Sequence, residues 1–329
     1  MRKANVFFSI YLFGHISLIV FCPAIGRCQD LPELPYMYVD QKESKARIDY
    51  LENNKIANNL SKGEILDAII QETNPAETHC RNYMFDISFF RALFAQLIVD
   101  NGNTKPEGLN IYLGAFNPDQ VPNNNFSTWA LRNEIVLIFS GPTTTSQKFY
   151  VYGPGNKLTS IDEKYKNWWT DNYVQNVIYH KDPNGKSAGL INTIFPADEE
   201  NHPGEILSKD SSDTRSIFYK WEYITGFLDT EVTYQNTIHQ NANYINRIKI
   251  SLASYSLAGL ERGNHICELS RYFRNRLHLL FGFMHSNSNY EISDNGRNPS
   301  KDWCINKKTK LAITGGDNGQ LCPPYNCPR

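Results

Sequence analysis

One apolar helical face followed by two strands of unlike pattern constrains this chain most. Phe89, Phe90, Leu93, Phe94, Leu97 and Ile98 recur at helical spacing behind Asp86, a residue able to cap free amides, and Asn101-Gly102 closes the pattern. Leu109, Ile111, Leu113 and Ala115 then alternate with Asn110, Tyr112 and Gly114, the period of a strand. Residues 135–139 form a continuous apolar run, short enough for a strand covered on both faces. Residues 148–152 add a shorter strand before Gly153-Pro154-Gly155. A helix with one apolar face needs a surface to cover, so this part reads as a small antiparallel α+β layer of about three strands.

The remaining segments read as helices. Ile48, Leu51 and Ile56 are spaced helically within residues 40–60. Ser61-Lys-Gly-Glu64 has the form of a capping box before Ile65, Ile69 and Ile70, and Asn74-Pro75 should end that helix. Ser160-Ile-Asp-Glu163 repeats the form and leads a helix through Trp168, Trp169 and Val177 to about His180, before a turn at Asp182-Pro-Asn-Gly185. Residues 196–213 read as an acidic surface loop. Three stripes follow: Ile217, Trp221, Ile224 and Leu228; Ile245, Ile248, Leu252 and Tyr255; and Ile266, Leu269, Phe273, Leu277, Leu280 and Met284. The expected fold class is α+β, mostly helical, with the small sheet in the first half and a helical array in the second. The expected parts are a signal peptide at 1–28, a small α+β part at 29–155, a helical part at 156–314 packed with it as one unit, and a Gly/Cys/Pro tail at 315–329.

Arg2 and Lys3 precede an apolar run over residues 6–21, then Pro23 and small residues near Gly26 and Cys28, the layout of a secretory signal peptide. Gly14 and His15 interrupt the run, which is shorter than the ~20 apolar residues of a membrane span. The expected location is therefore exported, periplasmic or extracellular, with membrane contact only through the transient signal peptide. Lipid anchoring is disfavoured because Phe21 and Arg27, not small residues, precede Cys22 and Cys28. Removal of residues 1–28 takes Arg2, Lys3 and Arg27 from the 33 basic residues and none from the 34 acidic ones, leaving a charge near −4. That balance argues against nucleic acid, whose binding needs many phosphate-neutralising cations.

No catalytic set assembles in sequence. His278 and His285 share a flank of the last expected helix, but seven residues span ~10.5 Å along its axis, too far for one zinc ion. His265 and Glu268 lack the companions of an HExxH or di-iron site. Ser140-Gly-Pro lacks the leading glycine of a nucleophile elbow. His202-Pro-Gly-Glu205 and Asp198-Glu-Glu200 place a base and acids in one loop, where an ordinary solvated surface is the simpler reading. Trp168, Trp169, Tyr173 and Tyr179 could line a sugar or peptide groove, although aromatics at helical spacing usually serve a core. Catalytic, cofactor and metal residues are thus read as none, and cofactors as none.

Seven cysteines are present: Cys22, Cys28, Cys80, Cys267, Cys304, Cys322 and Cys327. Cys322-Pro-Pro-Tyr-Asn-Cys327 brackets a rigid diproline, and a structural disulfide between Cys322 and Cys327 is the leading reading. A docking tail presenting Tyr325 is the second. The pairing of the others stays open.

Phe85-Asp-Ile-Ser, Leu93-Phe-Ala-Gln96, Gly108-Leu-Asn-Ile-Tyr-Leu-Gly114, Glu134-Ile-Val-Leu-Ile and Gly319-Gln-Leu-Cys-Pro-Pro-Tyr together resemble a group of uncharacterised exported proteins of Bacteroidota. Those proteins carry a helix, a Gly-x-x-Ile-Tyr strand, an apolar strand and a C-terminal Cys-Pro-Pro segment. The resemblance covers residues 85–140 and the last dozen, and it implies no activity. The chain departs from the group over residues 160–284 and at Asn326. The expectation is an exported cell-envelope protein, non-catalytic, binding an unknown protein or small ligand. The alternatives are a secreted hydrolase drawing on His202, Glu205 and His265, and a toxin or immunity component.

Overall fold

Short extended segments from both halves of the chain pair antiparallel into two sheets. The computed structural model describes residues 38–39, 41–53, 60–142, 147–193, 213–238, 240, 244–254, 275–285, 315–316 and 320–322. The strands are β1 (Tyr38–Val39), β2 (Asn82–Asp86), β3 (Gly108–Ala115), β4 (Ile135–Ser140), β5 (Phe149–Gly153), β6 (Lys157–Ile161), β7 (Ser216–Lys220), β8 (Ile245–Ser254), β9 (Leu277–His285), β10 (Gly315–Gly316) and β11 (Gln320–Cys322). The helices are α1 (Gln41–Asn53), α2 (Lys62–Gln71), α3 (Ile87–Asp100), α4 (Glu163–Tyr173), α5 (Trp221–Thr225) and α6 (Val232–Ile238). A wider π turn, Val174–Ile178, extends α4, and another, Gly226–Glu231, joins α5 to α6.

The first sheet runs β1-β10-β9-β8-β2 and the second β11-β7-β3-β4-β5-β6. The expectation of a mostly helical chain with one small sheet and a helical second half is therefore corrected. Residues 216–220, 245–254 and 277–285, expected within helices, are strands. In β8 a bulge between Ile245 and Arg247 shifts the phase by one residue, so Ile245, Ile248 and Leu252 fall at spacings of three and four while Ile248, Ile250 and Leu252 alternate. In β9 residues 277–284 are buried throughout, because β8 and β10 flank it and both faces are covered. Such a strand has no polar face to reveal its period. The third stripe's Ile266, Leu269 and Phe273 lie outside the described residues, as do the expected signal peptide, Asp198, His202, Glu205, His265, Glu268 and Cys327.

The two sheets share one core. Leu109, Ile111 and Leu113 of β3, Ile135, Leu137 and Phe139 of β4 and Tyr150 of β5 join Ile248, Ile250 and Leu252 of β8 and Leu277, Leu279, Phe281 and Phe283 of β9 in a single cluster. Tyr219 of β7 meets Phe281 edge-on at 5.3 Å, and Tyr83 of β2 donates to the Ile135 carbonyl at 2.8 Å. Helix α3 brings Phe89 and Phe90 against Phe85, Phe139 and Tyr152, so it touches both sheets. Ile48 of α1 packs on Ala253 and Leu280 across the first sheet.

Helix α4 covers the opposite face of the second sheet. Its Trp169 fills a cluster with Phe116, Phe126, Val136, Ile138, Phe149 and Val151. Gly114 permits this approach: a Cβ there would lie 3.0 Å from that of Trp169. Helix α2 is held by its capping box, in which Ser61 Oγ accepts from the Glu64 amide and Glu64 accepts from the Ser61 amide. Lys62 in its first turn is buried and meets Asp213 at 2.5 Å, and Asp213 Oδ1 accepts from the amides of Thr214 and Leu277. These contacts tie the start of α2 to the start of β9, and at its other end Glu72 meets His180, just past the π turn that follows α4.

Candidate functional site

A chain segment rich in side-chain amides has few ways to bury them and tends to leave them at a wet surface. Along the C-terminal end of α4 the apolar and amide residues separate by face. Trp169, Tyr173 and Val177 are fully buried, whereas Asn172, Gln175, Asn176 and Tyr179 line an open cleft of about 620 Å³. Ligand sites commonly have volumes of ~300–1,000 Å³. The other walls are Glu72 at the end of α2, Asn117 after β3, Arg132 and Asn133 before β4, and His180 and Lys181 beyond the π turn.

Each wall is fixed by the local backbone. Tyr179 N–H bonds to the Val174 carbonyl at 3.0 Å, closing the π turn, and the His180 carbonyl accepts from Ala188 at 2.9 Å. Asp182 Oδ1 accepts from the amides of Asn184 and Lys186, and Gly185 turns the chain at φ +78°, so Lys181 emerges from a tight reverse turn. Asn133, at φ +64°, donates its amide to the Phe116 carbonyl at 2.8 Å. Asparagine tolerates this left-handed conformation better than most residues.

Hydrogen bonds then orient the side chains. Asn172 Nδ2 donates to the Ala115 carbonyl at 2.9 Å and to Asn133 Oδ1 at 3.3 Å, while Asn176 Nδ2 donates to Asn172 Oδ1. Arg132 donates to Asn117 Oδ1 at 2.9 Å and to Asp119 at 2.6 Å. His180 Nε2 and Glu72 Oε1 are 2.7 Å apart, with the imidazole nearly buried. Among the described residues, the Gln175 amide, the Tyr179 hydroxyl and the Lys181 ammonium have no side-chain partner and face the cleft. The result is a pair of hydrogen-bonded amides, Asn172 and Asn176, beside an unpartnered amide, a phenol ring and one uncommitted cation. Among the lining residues there is no serine, threonine or cysteine, and Glu72 is the one carboxylate.

The residues singled out from sequence are not brought together here. Cys322 ends β11, paired in register with Ser216, while its expected partner Cys327 is outside the described residues. His278 and His285 stand on strand β9, not on a helix. Seven residues along a strand extend ~23 Å, so the expected helical flank that brought the two histidines together is not present. Ser140 is buried at the end of β4 and donates to the Gly141 carbonyl at 3.1 Å. Among the described residues no group of three His, Cys, Asp or Glu side chains is placed to hold a metal, and no helix is long and apolar enough to cross a membrane.

The four aromatics divide. Trp169 and Tyr173 are core, whereas Trp168 and Tyr179 are 41% and 40% exposed. Glu72, Asn172, Gln175, Asn176 and His180 escaped the sequence reading. For Asn172, Gln175 and Asn176 the one signal is the run of side-chain amides over residues 172–176, while Glu72 and His180 carry none. Comparison of the chain with protein-family models, with curated proteins and with solved structures finds no match.

Proposed function

We propose that this is an exported, non-catalytic binding protein whose amide-lined cleft takes a small polar ligand. The observation that carries the reading is the row Asn172, Gln175, Asn176 and Tyr179 along about 620 Å³ of open space, in which hydrogen bonds fix Asn172 and Asn176 while the Gln175 amide and the Tyr179 hydroxyl stay without a side-chain partner among the described residues. Rigid polar groups bind hydroxyls and amides well because little side-chain entropy is lost on contact. A single lining carboxylate supports binding over glycosidic hydrolysis, which ordinarily uses two. The charged leader, apolar run and small residues at 1–28 support export. The hydrolase alternative keeps one specific observation, the contact between His180 and Glu72 at 2.7 Å.

Thermal shift of the processed protein against a panel of sugars, amino acids, nucleotides and carboxylic acids tests the reading. Some compounds should raise Tm, since a ligand at 100 times its Kd stabilises by ~2.7 kcal/mol. The Gln175→Ala/Tyr179→Ala variant should lose that shift while retaining its own Tm. Shifts unchanged in the variant, or none across the panel, would reject the cleft as the binding site.

A further inference from the structure

We infer that the ligand is an oligosaccharide, bound along α4 from the cleft out to Trp168; this rests on the binding reading above. The chemistry of the cleft selects the class. Sugar hydroxyls donate and accept at once, which matches the unpartnered side-chain amide of Gln175 and the remaining amide hydrogen and oxygen of Asn176, whose position Asn172 fixes through its own bonds to Ala115 and Asn133. A peptide side chain or an acyl chain would want apolar walls, and Tyr179 is the one apolar surface among the lining residues. A phosphate would want several uncommitted cations, but Arg132 is engaged by Asp119 and Asn117, leaving Lys181 alone in a cleft that also holds the carboxylate of Glu72.

The length follows from the helix. Trp168 precedes Asn172 by four residues, so the two share one face of α4. Its exposed indole is propped edge-on by Tyr165, with centroids 5.4 Å apart and planes at 81°. Propped rings present a stacking face without first having to order it. Eleven residues separate Trp168 from Tyr179, about 16 Å along a helical axis. A single pyranose does not reach from one ring to the other, whereas a short chain of sugars laid over the amides between them does.

A printed glycan array of neutral and acidic oligosaccharides with their constituent monosaccharides, probed with the processed protein, tests this. Calorimetry on the retained glycans then gives affinities for Trp168→Ala, Trp168→Phe and Gln175→Ala. The expected result is retention of oligosaccharides over their monosaccharides, a loss of about tenfold in affinity with Trp168→Ala, and recovery with Trp168→Phe. Trp168 is exposed, so the substitution leaves the fold intact, and unchanged thermal unfolding checks this. Retention of no glycan, or equal affinity for a monosaccharide, overturns the inference. If a non-sugar compound binds in a Gln175-dependent way, the inference falls and the binding reading stands. If Gln175→Ala and Trp168→Ala both bind a glycan as the parent does, both fall.

Discussion

Tyr150 and Tyr152, two residues apart on β5, hold the carboxylates at opposite ends of α3. Tyr150 donates to Asp100 Oδ2 at 2.5 Å and Tyr152 to Asp86 Oδ2 at 2.8 Å. Asp86 suits a helix start, but Asp100 sits where the helix dipole repels an anion. Burial opposes its charge, and hydrogen bonds from Tyr150, Lys148 and Gln96 outweigh that, holding the carboxyl below its usual range. Burial, then the bond to Asp86, pushes the Tyr152 phenol up to about 12. Tyr150→Phe should cost about 2 kcal/mol, the scale of a hydrogen bond to a charged group, measured by urea unfolding. A loss below ~0.5 kcal/mol would show that Lys148 and Gln96 suffice.

Acid should destabilise the protein through buried imidazoles. His79 donates from Nδ1 to the Cys80 carbonyl at 2.7 Å and accepts at Nε2 from the Ile135 amide at 3.0 Å, a pairing that only the neutral ring can make. Burial lowers its pKa to about 4 from 6.5. The folded group resists protonation, so this stability is fully present above pH 6.5 and lost as pH falls from 6.5 towards 4. One such group accounts for about 3 kcal/mol across that window. His278, lowered well below 6.5 by burial and the Arg47 charge, acts in the same direction. Unfolding free energies at pH 7.5, 6.0, 5.0 and 4.0 should fall steadily, and a flat profile would contradict the assignment.

The buried pair of Lys62 and Asp213 should show strong coupling. Burial lowers the Lys62 pKa, and Asp213 opposes that shift. Lys62→Met would strand the Asp213 carboxylate and should cost about 3–5 kcal/mol. Lys62→Met with Asp213→Asn should recover part of this, because the asparagine oxygen still accepts from Thr214 and Leu277. Additive losses in the double-mutant cycle would mean the charges do not act as a pair.

Helix α3, the capping box of α2 and strands β3 and β4 were legible because each advertises one clean period beside a recognisable stop. The second half was not. The bulge at Ile245 and Arg247 makes a strand imitate helical spacing, and β9 hides its period by being covered on both faces. Strand β6 was missed because Ser160-Ile-Asp-Glu163 resembles a capping box, whereas Ser160 and Ile161 finish the strand and Asp162 stands at the helix start. The cleft was illegible for another reason: Glu72, Asn117, Arg132 and His180 come from four segments joined only by folding.

Gly189 should link packing to the cleft. A Cβ there would collide with the Ile178 carbonyl and the His180 amide, the backbone that carries one cleft wall. Gly189→Ala should therefore destabilise by about 1–3 kcal/mol and weaken ligand binding. Gly185→Ala, at φ +78° with open space around it, should cost roughly 1 kcal/mol and leave binding unchanged. Equal binding by both variants would detach the His180 segment from the site.

Cys80 should be a sluggish thiol. Burial and the nearby Glu134 charge push its pKa up to about 11, so about a thousandth is thiolate at pH 8. Alkylation of the folded protein should be far slower at Cys80 than after unfolding in urea. Intact mass after alkylation without reductant also tests the proposed bridge: labels on both Cys322 and Cys327 would reject it.

Hydrogen exchange with and without a compound that raises Tm tests the binding site most directly. Protection should concentrate at residues 131–134 and 172–181, where the backbone carries the cleft walls. Protection confined to other segments at saturating ligand, with those two unchanged, would contradict binding in this cleft.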